Sequence, residues 1–168
     1  MTAGVEARLS ELHRERALHE LATLAISTYG PELYGFLVNT LGALPDAAEV
    51  FSQTTEDFWR ALPSFRGQCS VRTWLYVLAQ HAAQRHRRSP WNRGRRSGES
   101  RLGELVAAIR TRTAPWQRTE VKDRWRELRA SLAPDDRALL VLRVDRALAW
   151  SEVARIMLGD AEREPAAV

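Results

Sequence analysis

The spacing of the apolar residues constrains the fold of this chain more than any other feature. Along most of the sequence they recur every three or four positions, and the clearest stripes lie in 33–44, 47–62, 71–82, 121–132 and 150–158. This spacing places them along one side of an α-helix, whereas a half-buried strand would alternate apolar and polar residues. The sequence therefore predicts an all-α protein.

Capping residues suggest where the first helices begin and end. Gly30-Pro31 predicts a break or a kink between two helical stretches. Asp46, with Glu49 three residues later, has the pattern of a capping box and predicts the start of a helix. Ser70 predicts the start of the next helix, because its hydroxyl can accept a hydrogen bond from a free backbone N–H.

The order of helices and linkers predicts two units. Three helices form the first, at residues 15–88, and a segment rich in Ser, Gly, Pro and Arg begins a basic linker at 89–115. A smaller helical unit follows at 116–168. Within it, Pro134 is expected to open one helix and Gly159 to end the last one.

Positive charge is concentrated in the middle of the chain. The net charge of +4 combines −5 over residues 1–62, +10 over 63–118 and −1 over 119–168. A local excess of arginine predicts a polyanionic partner bound at that place. A solvated basic linker is the alternative.

Several function classes find no support in the sequence. Cys69 is the only cysteine, so an internal disulfide is impossible, and a reducing, cytoplasmic location is expected. The histidines lack metal-ligand spacing, and no nucleophile–base pair or phosphate-binding glycine loop is present; no metal, cofactor or enzymatic activity is predicted. Uncharged stretches are shorter than the roughly 20 residues of a membrane span, so none is expected.

Four short motifs follow one another over some 43 residues. They are Asp46, Trp-Arg-Ala-Leu at 59–62, Phe-Arg-Gly at 65–67 and Arg-Thr-Trp-Leu-Tyr at 72–76. In order and spacing they resemble the −10 domain of bacterial extracytoplasmic-function (ECF) sigma factors, the RNA polymerase subunits that find promoters and help to open them. Residues 132–154 more weakly resemble the start of the −35 domain of that family.

The resemblance implies a polymerase-binding helix. In the family, the helix that starts at the acidic cap docks on the clamp helices of the largest polymerase subunit. An acidic surface suits a basic protein partner and repels DNA; a merely solvated face is the alternative. The predicted polymerase-binding residues are Asp46, Glu49, Gln53, Glu56 and Asp57.

The resemblance also implies a reader of the −10 non-template strand. Holding an unstacked base requires aromatic faces, a pocket and cations for the phosphates. Tyr76 and Gln80 are predicted on an outer helix face as base contacts, while Trp74 is either a core residue or a stacking platform. The predicted DNA-binding residues are Phe65, Arg66, Gly67, Arg72, Trp74, Tyr76, Gln80, Gln84, Arg85, Arg87 and Arg88.

The end of the sequence departs from the family pattern. A helix-turn-helix reads DNA with its second helix, and the residues after Gly159 suffice for only its first turn. A truncated −35 domain is therefore expected, and a factor that relies on its −10 domain alone is the alternative. Core RNA polymerase and promoter DNA are the expected partners, and an anti-sigma factor is left open. The alternatives are a stand-alone helix-turn-helix regulator and a clamp-binding adaptor that does not initiate transcription.

Overall fold

The protein is described by a computed structural model that covers residues 2–89, 127–129 and 131–159. These residues contain helices and turns and no strand, which confirms the all-α prediction. The predicted linker beyond Ser89 and most of the predicted helix at residues 121–132 lie outside the described part of the chain. The proposed domain boundaries therefore stay predictions.

Four α-helices and one short turn of 3₁₀-helix form the N-terminal part. They are α1 (Thr2–Arg14), α2 (Leu18–Leu41), α3 (Leu44–Ala61), the 3₁₀ turn (Leu62–Ser64) and α4 (Val71–Arg88). The helix α1 was not predicted, although Val5, Leu9 and Leu12 have helical spacing and pack into the core.

Two short helices and a π-helical turn form the described C-terminal part. They are α5 (Pro134–Leu140), the π-helical turn (Val141–Asp145) and α6 (Trp150–Leu158). The expected start at Pro134 and end at Gly159 are confirmed. Gly159 has φ of 77°, a left-handed conformation that glycine adopts without the strain of a Cβ atom.

The predicted break at Gly30-Pro31 is absent, because α2 runs through both residues. Gly30 is buried where α2 meets α3, and a Cβ atom there would lie 3.5 Å from the Phe51 ring. Glycine and proline thus lie within one helix, and the packing of α2 against α3 outweighs the low helix propensity of the pair.

The predicted cap at Asp46 is wrong, and the predicted cap at Ser70 is confirmed. Ala43 is the N-cap of α3, and Pro45 takes a first-turn position, where its missing N–H costs no hydrogen bond. Asp46 is instead a buried residue of the first turn. At the start of α4, the Ser70 Oγ accepts a hydrogen bond of 3.0 Å from the Thr73 N–H.

The N-terminal and C-terminal parts share one hydrophobic core. Leu33, Phe36 and Leu75 are fully buried in it, and so are Leu142 and Ile156 from the C-terminal part. In this structure α5 packs on α2, and α6 packs on α4. The two predicted units are therefore in direct contact.

Neighbouring residues of α3 allow a test of this packing. Phe58 is 1% exposed and Trp59 is 52% exposed. We expect Phe58→Ala to lower the free energy of unfolding by about 3–5 kcal/mol, as for other buried aromatic residues. Trp59→Ala should lower it by less than about 1 kcal/mol, because its site remains open to water. Urea denaturation measures both, and equal losses would contradict the packing.

Candidate nucleic-acid and protein interfaces

A carboxylate of α1 holds the first turn of α4. The Glu6 carboxylate accepts hydrogen bonds from the Tyr29 hydroxyl (2.7 Å) and from the backbone N–H groups of Val71 and Arg72 (3.2 Å each). These N–H groups have no partner within the helix, and a negative charge beside them is favourable. Burial, followed by the hydrogen bond to Glu6, raises the pKa of Tyr29.

The loop at residues 65–70 is attached to α1 and to α4. His13 Nε2 lies 2.8 Å from the Phe65 carbonyl oxygen, and the two rings are in contact. The Phe65 ring stacks on Trp74 with centroids 4.4 Å apart, and Trp74 also contacts Phe58. Trp74 is thus covered on one face by Phe65, and it is a partly buried residue packed against the core rather than an open stacking platform.

The tip of the same loop is exposed. Arg66, Gly67 and Gln68 all lie at the surface, and Gly67 has φ of 70°. Only glycine takes this backbone conformation readily, so the turn depends on Gly67. The tip of the loop therefore presents the Arg66 cation at the surface.

Arg72 is engaged inside the protein. Its guanidinium donates to both carboxylate oxygens of Glu32, at 2.7 and 3.1 Å, and lies over the Tyr76 ring. Burial lowers the pKa of Arg72, but the hydrogen bond and charge of Glu32 outweigh it, and the pKa is raised. Arg72 thus connects α4 to α2. Its partner Glu32 lies 40 positions away in the sequence, so local sequence could not reveal this pair.

The prediction that Tyr76 and Gln80 lie on an exposed face is wrong for this conformation. Tyr76 is 1% exposed and Gln80 is 0% exposed. Tyr76 packs edge-on against Phe36, and its pKa is raised first by burial and then by the charge of Glu32. Gln80 lies beside Asp135 of α5, 3.4 Å from its amide nitrogen to the carboxylate. The physical reason is that Tyr76 packs against α2, while Gln80 is reached by Asp135 of α5 and α6 packs on α4.

The basic end of α4 is only partly covered. Arg85 and Arg88 are exposed, and Gln84 and Arg87 are half-buried. Arg85 forms an ion pair with Asp57 of α3, and Arg87 forms one of 2.6 Å with Asp135. The exposed predicted DNA-binding residues are thus Arg66, Gly67, Arg85 and Arg88.

The acidic face of α3 is exposed only in part. Glu49, Gln53 and Glu56 lie at the surface. Asp57 accepts a hydrogen bond from Gln53 and pairs with Arg85, and buried Asp46 lies 3.4 Å from His86 Nε2. Asp46 therefore lies at the contact between α3 and α4.

Three residues near these surfaces were missed from sequence. Glu6 and His13 belong to α1, whose helical spacing was the available signal. Trp59 is an exposed aromatic residue beside the acidic face of α3. In the sequence it lies within the Trp-Arg-Ala-Leu motif, and no binding role was predicted for it. Exposed tryptophans are over-represented among residues that dominate protein interfaces.

The described residues offer neither a metal-binding cluster nor a membrane-spanning helix. No group of three or more His, Cys, Asp or Glu side chains is placed to hold a metal ion within the described ranges. Among the helices that the structure describes, none has both the length and the apolar character that crossing a bilayer requires.

Comparison with known proteins finds similarity in the region of these surfaces. The family model for sigma-70 region 2 matches residues 25–93. Two relatives, each 33% identical over 84 residues, are the ECF RNA polymerase sigma factor SigG of Mycobacterium tuberculosis strains CDC 1551 / Oshkosh and ATCC 25618 / H37Rv. Each match covers 46% of this chain and only 22% of the relative. The helix α1 precedes the family match.

The contact between Glu6 and α4 can be tested with a matched pair of variants. Glu6→Gln removes the charge and one acceptor oxygen, and we expect a loss of about 1–3 kcal/mol in unfolding free energy. Glu11→Gln, at an exposed ion pair with Arg8 on the same helix, should cost less than about 1 kcal/mol. Hydrogen exchange at the Val71 and Arg72 amides should accelerate only in Glu6→Gln; equal protection in both variants would refute the role of Glu6.

Proposed function

We propose that the protein is an ECF-type sigma factor that binds core RNA polymerase and directs it to promoters, because residues 25–93 match sigma-70 region 2 and the chain is similar to an ECF sigma factor. Transcription initiation is the process in which this family acts. The finer steps, clamp binding and capture of the −10 non-template strand, belong to the proposal. A cytoplasmic location is expected with it.

The observation that carries the proposal is the coincidence of the family match with an exposed, cationic loop. Residues 65–70 lie inside the matched segment, and the loop tip presents Arg66, Gly67 and Gln68 to solvent. Arg85 and Arg88 add exposed positive charge along α4. Cations that contact phosphates give affinity without sequence information, and an exposed loop can recognise an unstacked base.

The exposed face of α3 supports binding to a protein. Glu49, Gln53 and Glu56 present negative charge and hydrogen-bonding groups, with Trp59 beside them. Negative charge would repel DNA and would attract a basic protein surface, while the indole supplies buried area on association. We therefore assign this face to polymerase and the loop to DNA.

One observation favours a second candidate function. The acidic face of α3 is exposed, whereas Tyr76 is buried against Phe36 of α2 and Gln80 is buried beside Asp135 of α5. A protein fixed in this state would bind the polymerase clamp without reading DNA through α4. It would act as an adaptor or decoy instead of an initiation factor.

A single experiment separates the two candidates. The protein is mixed with core RNA polymerase, tested for co-elution, and then assayed for transcription from a library of promoters. Co-elution with transcription supports the sigma function, and co-elution without transcription supports the adaptor. Absence of co-elution would refute both.

The role of the acidic face in polymerase binding can be tested by reversing its charge. We expect Glu49→Lys with Glu56→Lys to weaken polymerase binding about tenfold or more, because juxtaposed like charges are costly at an interface. Glu11→Lys with Glu15→Lys makes the same charge change on α1 and should bind as the wild type does. Unchanged binding by the α3 variant, measured by fluorescence titration, would show that this face is only solvated.

If the exposed arginines of α4 bind phosphates, their removal should weaken DNA binding equally at every promoter. Arg88→Ala would remove a phosphate contact. It should therefore weaken binding to all promoters equally and reduce the salt dependence of DNA binding by about one charge. Arg14→Ala, an exposed arginine of α1, is the matched control and should leave binding unchanged. Holoenzyme binding to several promoters over a range of salt concentrations measures this, and a change in promoter ranking would argue against a phosphate contact.

A further inference from the structure

The helix α1 and the turn that follows it contact the exposed loop on both sides of its tip. Before the tip, the Arg16 guanidinium donates a hydrogen bond of 3.2 Å to the Pro63 carbonyl, and His13 Nε2 lies 2.8 Å from the Phe65 carbonyl oxygen. After the tip, the Glu6 carboxylate accepts hydrogen bonds from the first N–H groups of α4. All three side chains precede the family match, which begins at residue 25.

The His13 ring contacts the loop in two ways. A carbonyl oxygen can only accept a hydrogen bond, so the ring donates from Nε2 to Phe65. Its centroid lies 5.2 Å from that of the Phe65 ring, and its Cε1 and Nδ1 atoms lie 3.8 Å from the position that a Cβ atom of residue 67 would take. His13 therefore packs against the backbone that leads into the tip of the loop.

The backbone of Arg16 is strained. Its φ of 59° is left-handed, a conformation that a Cβ atom makes costly. The Arg16 N–H bonds to the His13 carbonyl (3.2 Å) and the Ala17 N–H to the Leu12 carbonyl (3.0 Å), which together form the Schellman motif that ends α1. The left-handed position of this motif is usually glycine. Strain of this kind persists most often where a side chain has a task, and here the side chain reaches Pro63.

These contacts fix the backbone beside the tip and leave the tip accessible. Arg66, Gly67 and Gln68 are exposed, whereas the carbonyl groups of Pro63 and Phe65 are bound by side chains from α1 and its turn. A loop that is ordered before it binds avoids the cost of ordering on binding. A loose loop also discriminates poorly between ligands, because its groups are not held in the productive geometry.

We propose that His13 and Arg16 are positioning residues for the loop at residues 65–70, and that they hold it in the conformation that accepts an unpaired base of the promoter. This proposal rests on the proposed function of the loop. Neither residue touches the base, and both act through the backbone at Pro63 and Phe65. Their loss should lower the discrimination between bases and leave the affinity for polymerase unchanged.

Arg16→Gly separates positioning from stability. It removes the side chain and the backbone strain together, so the variant should be at least as stable as the wild type. Holoenzyme is assembled with each protein, and transcription is measured from the best promoter of a library and from versions with single −10 base changes. We expect Arg16→Gly to lower the ratio between the best and the altered promoters about three- to tenfold, within the range that one mismatched base pair contributes. Arg14→Ala loses the same charge at an exposed position of α1 and should keep the ratio.

A pair of variants at His13 tests the hydrogen bond to Phe65. His13→Gln keeps an N–H donor at a similar distance from the backbone, whereas His13→Leu fills the space without a donor. We expect His13→Gln to retain the selectivity of the wild type and His13→Leu to lose it, as Arg16→Gly does. Equal selectivity in the two variants would overturn the role of this hydrogen bond.

Urea denaturation and titration with core polymerase complete the experiment on the same samples. A loss of selectivity that accompanies a loss of stability or of polymerase affinity would show that the turn at Arg16 is only structural, and would overturn the proposal. Unchanged selectivity in Arg16→Gly, beside a wild type that binds polymerase and selects promoters, would overturn the positioning role alone. Failure of the wild type to bind polymerase would refute the proposed function, and the positioning role with it.

Discussion

The burial of α4 on all sides between Leu75 and Gln80 is the constraint on which the other helices depend. Six successive buried residues require neighbours around the whole circumference, since a helix covered on one side leaves part of each turn exposed. The helices α2 and α3 cover one side, and α6 covers another. The first turn is held by α1 through Glu6. Any function proposed for α4 therefore depends on which neighbouring helices cover it.

Carboxylates from distant parts of the chain hold the polar groups of this central helix. Glu6 binds its first N–H groups, Glu32 binds Arg72, and Asp135 binds Arg87. The arginine-rich middle of the sequence is thus partly neutralised by acids that lie far away along the chain. Such pairs gain strength where water is excluded, and removing one partner leaves the other charge or dipole unsatisfied. The same interactions that stabilise the fold reduce the positive potential available to a polyanion.

The two proposed binding surfaces differ in accessibility. The acidic face of α3 and the tip of the loop at residues 65–70 are exposed. The middle of α4 is buried. Tyr76 and Gln80 are therefore not accessible to a partner in this structure.

The sequence by itself determined the helical class, the cap at Ser70, the helix start at Pro134 and the family motifs, because periodicity and capping depend on residues close together in the chain. Only the tertiary structure decided that Asp46 lies beside His86, that Arg72 binds Glu32, and that Tyr76 and Gln80 are buried. A helical pattern shows which residues suit a core but does not show how many neighbours surround the helix. The polar side of α4 looked exposed because nothing local indicates that residues more than fifty positions away cover it.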